Sequence, residues 1–484
     1  MAAPPSVLPS ALPAYPNPAA ALARLQAFRA GLHACCTRRA DALLDLADAL
    51  LSAPGPVASL PHLSLEPAHR RGWGSTYAAL ACGRIDAERL RDLLVGCLPP
   101  ADPLVFAVDV TAWPRCDAEC SPERGLYDHP SRHSAGQPIV AGWAFQWVCQ
   151  LGFARDSWTA PVDARRLHPL DDTDHSAAGQ VRALLARLPA GGPVPWLVFD
   201  AGYDPAQSSL DLAEARVAVL VRLRSDRCFY ADPPPRPPGA GGRPRRHGAK
   251  FACADPATWP APTATLACTD QQYGTVTVAA WAGLHPKQHR HPGHGSRRPR
   301  PIVRGTILRV QVERVPAKTR PPKVLWLWWA GPAGLQPDLD LAWRAYVRRF
   351  DCEHTLRFCK QTLGWTTPRP RHPEQADRWT WLVLPATPSC AWPVSSSATS
   401  GCRGSGPARP ASCPPTGSAG GFRDCWPYSA RRRPRRNPPG APQAGPGAAA
   451  RAPRRATRRS RSAPPSSPRL GRPPEQPPPA PRSC

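Results

Sequence analysis

"YVRRFDCEHTLRFCK", residues 346–360, is the stretch on which the reading of this chain turns. It lies inside a run, beginning near Asp338, that reads as one long helix. Arg349, Glu353 and Lys360 follow Tyr346 at offsets of three, seven and fourteen residues. At about 100° per residue these offsets bring all four side chains within a sector of roughly 60°. One face would then carry a phenol, a guanidinium, a carboxylate and an ammonium in a row. Such a row is either a solvated face with ordinary i,i+4 ion pairing or part of a site. The rest of the chain has to decide.

The chain has 484 residues, enough for two or three domains and a substantial core, and 42% of them are hydrophobic. Its formal charge of +27 and pI near 10.3 favour a polyanionic partner, of which nucleic acid is the commonest. The sequence lacks an apolar run long enough to span a membrane. "MAAPPSVLPSALPAYPNPAA" lacks a basic segment followed by an apolar one, so we expect no export and a cytoplasmic protein. The 17 cysteines are scattered without a CxxC pair. Cys116 with Cys120, and the histidine-rich "HPKQHRHPGH" from His285, supply no matched second pair at zinc spacing; reduced thiols are expected instead.

Organisation follows from changes of pattern. Residues 1–19 read as a disordered N-terminus, and residues 20–100 as a helical region able to bind DNA or to dock and dimerise. From residue 101 to 231 short buried strands ("LVFAVDV", "VPWLVFDAGYD", "VAVLVRLRSD") alternate with helices, which indicates a mixed α/β sheet. Residues 232–335 form a β-rich insertion with basic loops, and residues 336–385 return with the long helix. Beyond residue 386 proline, serine, glycine and arginine dominate without an apolar period. This tail cannot bury enough surface to offset its ordering entropy and is expected to be disordered.

Two carboxylates sit at costly places: Asp109 follows "LVFAV", and Asp200 ends "PVPWLVF". An ionised aspartate on or beside a buried strand needs a partner, a hydrogen bond or a cation. Each could cap a turn. Together with Glu353 they could instead converge on one side of a sheet, if the long helix packs across it. Magnesium prefers oxygen ligands of this kind. Two such ions about 3.5–4 Å apart can activate a nucleophile and stabilise the leaving oxygen of a phosphodiester. Asp204, just before Pro205, is expected to cap the helix that follows. In "VLWLWWAG", Trp326 and Trp328 alternate with leucines as on a strand with two apolar faces; core packing is the first expectation and base stacking the second. The basic loop Arg297–Arg304 is a further candidate for phosphate contact.

The spacing Tyr346-x2-Arg349-x3-Glu353-x6-Lys360 resembles the Y-(2)-R-(3)-E-(6)-K signature of a large branch of bacterial insertion-sequence DDE transposases. "FAVDVT", "VFDAGYD" and "RFDCEHTLRFCKQTLGW" resemble, in order, the blocks that carry that family's three acids, over roughly residues 40 to 385. The resemblance implies an RNase H-like fold with Asp109, Asp200 and Glu353 as catalytic ligands of two Mg2+ ions, with Mn2+ able to substitute. It implies hydrolysis at transposon ends to expose a 3′-OH, which attacks target DNA by direct transesterification. Tyr346, Arg349 and Lys360 would hold the DNA backbone, and a homodimer would hold two ends. A nucleoid-associated protein is the corresponding expectation.

One departure stands out. After "RWTWLVL" the chain runs into "PATPSCAWPVSSS", where relatives would continue with a helix of apolar and basic residues. We read this tail as out of frame; resequencing that returns an intact frame, with this tail in the expressed protein, would refute the reading. Two other functions compete: an inactive remnant that only binds DNA, and a hydrolase with paired carboxylates acting on a sugar. The second explains neither the basic charge nor the cationic row beside Glu353.

Overall fold

"VFAVDVTAWP" alternates so that Val105 and Ala107 face one core and Phe106 and Val108 the other, and this strand anchors the architecture. The computed structural model describes residues 18–128, 139–153, 159–239, 241–287, 301–315 and 324–391, all within one compact unit. The tail expected to be disordered from residue 386 begins instead inside a helix that runs on to Ala391, because Ala386 and Thr387 are buried; the rest of that tail and the arginines at 297–300 lie outside the described residues.

The N-terminal region is α1 (Pro18–Cys35), β1 (Cys36–Arg38), α2 (Ala40–Ser52), α3 (Leu60–Leu63), α4 (Gly74–Cys82), β2 (Arg84–Ile85) and α5 (Ala87–Gly96). It is helical apart from the small antiparallel β1–β2 ribbon. Asp86 caps α5 by accepting the N–H groups of Glu88 and Arg89. Next come β3 (Val105–Pro114), β4 (Gly125–Asp128), β5 (Ile139–Leu151), β6 (Thr159–Leu167), α6 (Thr173–Leu185), β7 (Trp196–Phe199), α7 (Pro205–Asp211) and β8 (Ala218–Leu223). Then β9 (Cys228–Tyr230), β10 (Lys250–Ala252), β11 (Ala264–Asp270), β12 (Gly274–Pro286), β13 (Gly305–Val312) and β14 (Leu325–Ala330) precede α8 (Leu339–Gln361) and α9 (Pro373–Ala391).

Among the described residues a 12-stranded mixed sheet runs β10-β9-β12-β13-β14-β8-β7-β3-β5-β4, with β11 added on β12 and β6 on β5. Its centre, β3-β7-β8, is parallel, and the other pairings are antiparallel. The β-rich stretch therefore extends the same sheet: β14 pairs directly with β8. Trp326 and Trp328 of β14 are buried in one core, and Leu325, Leu327 and Trp329 in the other, which is the packing reading of "WLWW".

α8 starts at an N-cap, Asp338, that accepts the N–H groups of Asp340 and Leu341. It lies on the sheet face that includes Val105, Ala107 and Trp147, into which it buries Trp343, Tyr346 and Phe350. α6 lies on the opposite face, with Ala177, Val181 and Leu184 against Phe106 and Val108. No helix among the described residues is long and apolar enough to cross a membrane.

Trp365, in the turn between α8 and α9, is fully buried and packs edge-on against Trp147 at 5.1 Å, Phe145 at 5.4 Å and Trp113 at 5.6 Å between ring centroids. Its indole N–H donates to the Thr380 hydroxyl at 2.8 Å. Trp365→Ala should lower the unfolding free energy in urea by about 4 kcal/mol, because it removes a large buried ring and leaves a cavity.

Candidate active site

The parallel ladder between β3 and β7 ends at the pair Val108 and Phe199. Asp109 is the next residue of β3, and Asp200 is the first residue after β7. Two carboxylates therefore stand at the carboxyl end of the parallel core, where open α/β sheets form their ligand crevices. Asp109 shares the side of Val105 and Ala107, the face that α8 crosses.

α8 meets Asp109 through Arg349. Its Nη1 donates to Asp109 Oδ2 at 3.2 Å, and its Nη2 donates to Glu353 Oε1 at 2.8 Å. The Arg349 side chain is only 5% exposed, against 15% for Asp109 and 35% for Glu353. Burial pushes the Asp109 carboxyl above its usual range; Arg349 opposes this, and the charge of Asp200 adds to it. Burial also works against the Arg349 charge, yet Asp109, Tyr346, Glu353 and Asp200 together raise its pKa. One buried guanidinium thus pairs with two of the acids, Asp109 and Glu353.

Residues 31–287, more than half of the chain, match the family described as DDE superfamily endonuclease. This chain belongs to that family. The matched segment includes Asp109 and Asp200. Among solved structures, this family member is similar to a chain of the piggyBac transposase synaptic complex with hairpin DNA, at a TM-score of 0.33 and 10% identity. That likeness covers 71% of the endonuclease-family chain described here and 63% of the transposase chain. Comparison with curated proteins gives no match.

The remaining residues of the row in this DDE-family chain are also turned inward. The Lys360 ammonium donates to Thr111 Oγ1, two residues beyond Asp109 on β3, and lies 5.7 Å from the centroid of the Trp365 ring. Burial lowers the Lys360 pKa, while the Asp109 charge works the other way. Tyr346 is fully buried, with the Arg349 guanidinium carbon 5.9 Å from its ring centroid. The solvated-face reading therefore fails for Tyr346 and Arg349: the sheet, not water, surrounds them. Arg304, from the other candidate phosphate contact, is paired with Asp232 through Nε at 3.0 Å.

The loop after β7 is held from several directions. Asp200 Oδ1 accepts the Gly202 N–H at 2.7 Å. Asp204 caps α7 as its place before Pro205 implies, accepting the N–H groups of Ala206 and Gln207 at 2.9 Å each. Asp174, in the first turn of α6, accepts the Asp204 N–H at 3.0 Å and the Ser208 hydroxyl at 2.8 Å on the same oxygen. Asp174, Tyr203 and Gln146 escaped the sequence reading; the one signal was a glutamine inside the apolar run "AFQWVC".

Burial pushes the Asp174 carboxyl from its ordinary 3.8 up to about 6, against the bonds from Ser208 and Asp204. A raised folded-state pKa means that the associated stability is fully present below 3.8 and lost as pH rises through about 6. Ionised Asp174 is therefore a net cost at pH 8. Asp174→Asn keeps the accepting Oδ1 and should stabilise the protein by about 2 kcal/mol near pH 8, after discounting for partial exposure. The gain should vanish towards pH 4, which urea unfolding at the two pH values would check.

The donor set suits a hard divalent cation. The three acids offer carboxylate oxygens, and Arg349 stands in for a cation between Asp109 and Glu353. Among the described residues no three His, Cys, Asp or Glu side chains converge closely enough to hold an ion.

Proposed function

We propose that this protein is a DDE transposase that cleaves DNA at the ends of its own insertion sequence and joins the exposed 3′-OH to target DNA. The observation that supports the proposal is one buried guanidinium, Arg349, bonded to both Asp109 and Glu353, with Asp200 following the neighbouring strand at the carboxyl end of a parallel strand pair. The parallel centre flanked by antiparallel β5 and β6 supports an RNase H-like reading of residues 101–231 and 336–385. On this reading residues 232–335 are an insertion, 20–100 an N-terminal region able to touch DNA, and 386–484 a tail.

Asp109, Asp200 and Glu353 would hold Mg2+, with Mn2+ able to substitute. When bound, the ion supplies an acidified water and neutralises charge on the leaving oxygen. The chain's own residues do the rest. A phosphodiester can take the paired Nη donors of Arg349, a bidentate match that frees the carboxylates as the strand enters. Lys360 of α8 adds a point charge beside Thr111, two residues along β3 from Asp109, and Tyr346 packs beside Arg349. The formal charge of +27 supports DNA as the partner, and a homodimer would hold two ends together.

The test uses full-length protein and end-labelled duplexes from the borders of its own genetic element. Nicks that leave a 3′-OH are expected with Mg2+ or Mn2+ and none with EDTA. Binding without cleavage in either metal would overturn the proposal in favour of an inactive DNA-binding remnant.

A further inference from the structure

A chain of buried polar side chains runs from the N-terminal helices to the Asp200 loop. Arg91 of α5 donates through Nε to Asp163 Oδ1 of β6 at 2.6 Å. Gln180 of α6 donates through Nε2 to Asp163 Oδ2 at 2.9 Å and to the Gln146 backbone carbonyl at 3.3 Å. Gln146 of β5 donates in turn through Nε2 to the Tyr203 phenolic oxygen at 2.8 Å and to the Thr173 carbonyl at 3.2 Å. Tyr203 lies in the loop that starts at Asp200, its ring 4.9 Å from that of Phe199. All five residues are buried, none more than 9% exposed.

Core stability alone does not account for this chain. Apolar residues would fill the same positions without desolvating two amides, a carboxylate and a guanidinium. The Oε1 atoms of both Gln146 and Gln180 are buried with no hydrogen-bond partner among the described residues, an added cost. The chain's end points are informative. Gln146 pairs across the sheet with Val110, the neighbour of Asp109. The Tyr203 backbone N–H donates to the Asp200 carbonyl at 3.5 Å, so the loop turns back on the residue that carries the acid. At the other end, Arg91 is also paired with Glu88, which Arg187 of the segment after α6 holds at 2.7 Å. Arg165 of β6 also pairs with Asp163, at 3.0 Å.

We propose that Tyr203 is a positioning residue for the acidic pair, and that Gln146, Gln180 and Asp163 tie its orientation to Arg91, so that the N-terminal helices and the Asp200 loop act as one unit. This deepens the transposase reading and rests on it for its rate measurement only.

Two measurements on the full chain test it. Hydrogen exchange followed by mass spectrometry reads the loop without any reaction. Arg91→Leu should speed exchange of the Gly202–Asp204 amides about fivefold or more while leaving β12 and β13 unchanged, and Arg91→Lys, which keeps a charged donor, should restore it. If Arg91→Leu raises exchange everywhere, Gln180→Met, which leaves the Arg91–Asp163 pair intact, carries the same test. Unchanged loop exchange in the folded variant overturns the linkage.

Single-turnover strand cleavage supplies the second readout. Tyr203→Phe and Gln146→Met should each slow cleavage about tenfold with DNA affinity within about twofold, and the double variant should be no slower than the slower single. Additive losses, or rates equal to wild type, overturn the positioning role. A wild-type protein that cleaves nothing would instead refute the transposase reading, and loop exchange in Tyr203→Phe and Gln146→Met would then decide this proposal alone: faster exchange in both supports it and no change overturns it.

Discussion

Asp200→Asn should slow strand cleavage about a thousandfold or more while leaving DNA affinity within about twofold. The substitution is nearly isosteric, and the new side chain keeps an oxygen to accept the Gly202 N–H that now bonds Asp200 Oδ1. The loop should keep its shape, and what is lost is one negative charge at the end of β7. That charge now adds to the pKa of Asp109 and to the protonation of Arg349, so its effect reaches the other acids. Under the proposed chemistry it also removes a ligand oxygen with full charge. The measurement is single-turnover nicking in Mg2+ beside a gel-shift titration in EDTA. A variant that cleaves at wild-type rate would remove Asp200 from the catalytic set. One that loses DNA binding as well would point to a structural role.

Arg349→Met should destabilise the protein by about 3–5 kcal/mol at pH 8, the range expected when one partner of a buried ion pair is deleted. Methionine fills much of the volume but removes the guanidinium bonded to Asp109, which stays buried near the charge of Asp200. The sign with pH follows from Asp109, whose folded-state pKa is already raised by burial and would rise further without the arginine. Its ionised form is the costly one, so the deficit should grow as pH rises and shrink on acidification, as Asp109 takes up a proton. Pairing Arg349→Met with Asp109→Asn should recover much of the loss, since the buried charge then disappears altogether. Urea unfolding at pH 5 and pH 8 for the two single variants and the double checks each step. Equal destabilisation at both pH values would show that Arg349 acts through packing rather than charge.

Much of the site was readable in the linear chain. Asp109 and Asp200 betrayed themselves because each follows an apolar strand run where a free carboxylate is expensive. The helical offsets of Arg349, Glu353 and Lys360 put them on one face before any fold was known. The mixed sheet followed from strands that alternate with helices after residue 101. What the row of four faces could not be read in the same way. A helical sector of 60° describes direction around the α8 axis and says nothing about which neighbour fills that direction.

The sequence by itself determined the element types around the site, the start of the long helix near Asp338 and the cap Asp204 that starts α7. Short-range geometry settles these, because periodicity and capping act within a few residues. Tertiary structure alone decided that Arg349 spends its donors on Asp109 and Glu353, that Tyr346 is buried in the core while Lys360 bonds Thr111 of β3, and that Gln146 reaches Tyr203. Arg349 and Asp109 are 240 positions apart. A buried charge selects its partner by proximity and desolvation in three dimensions, and no local pattern in the chain encodes that choice.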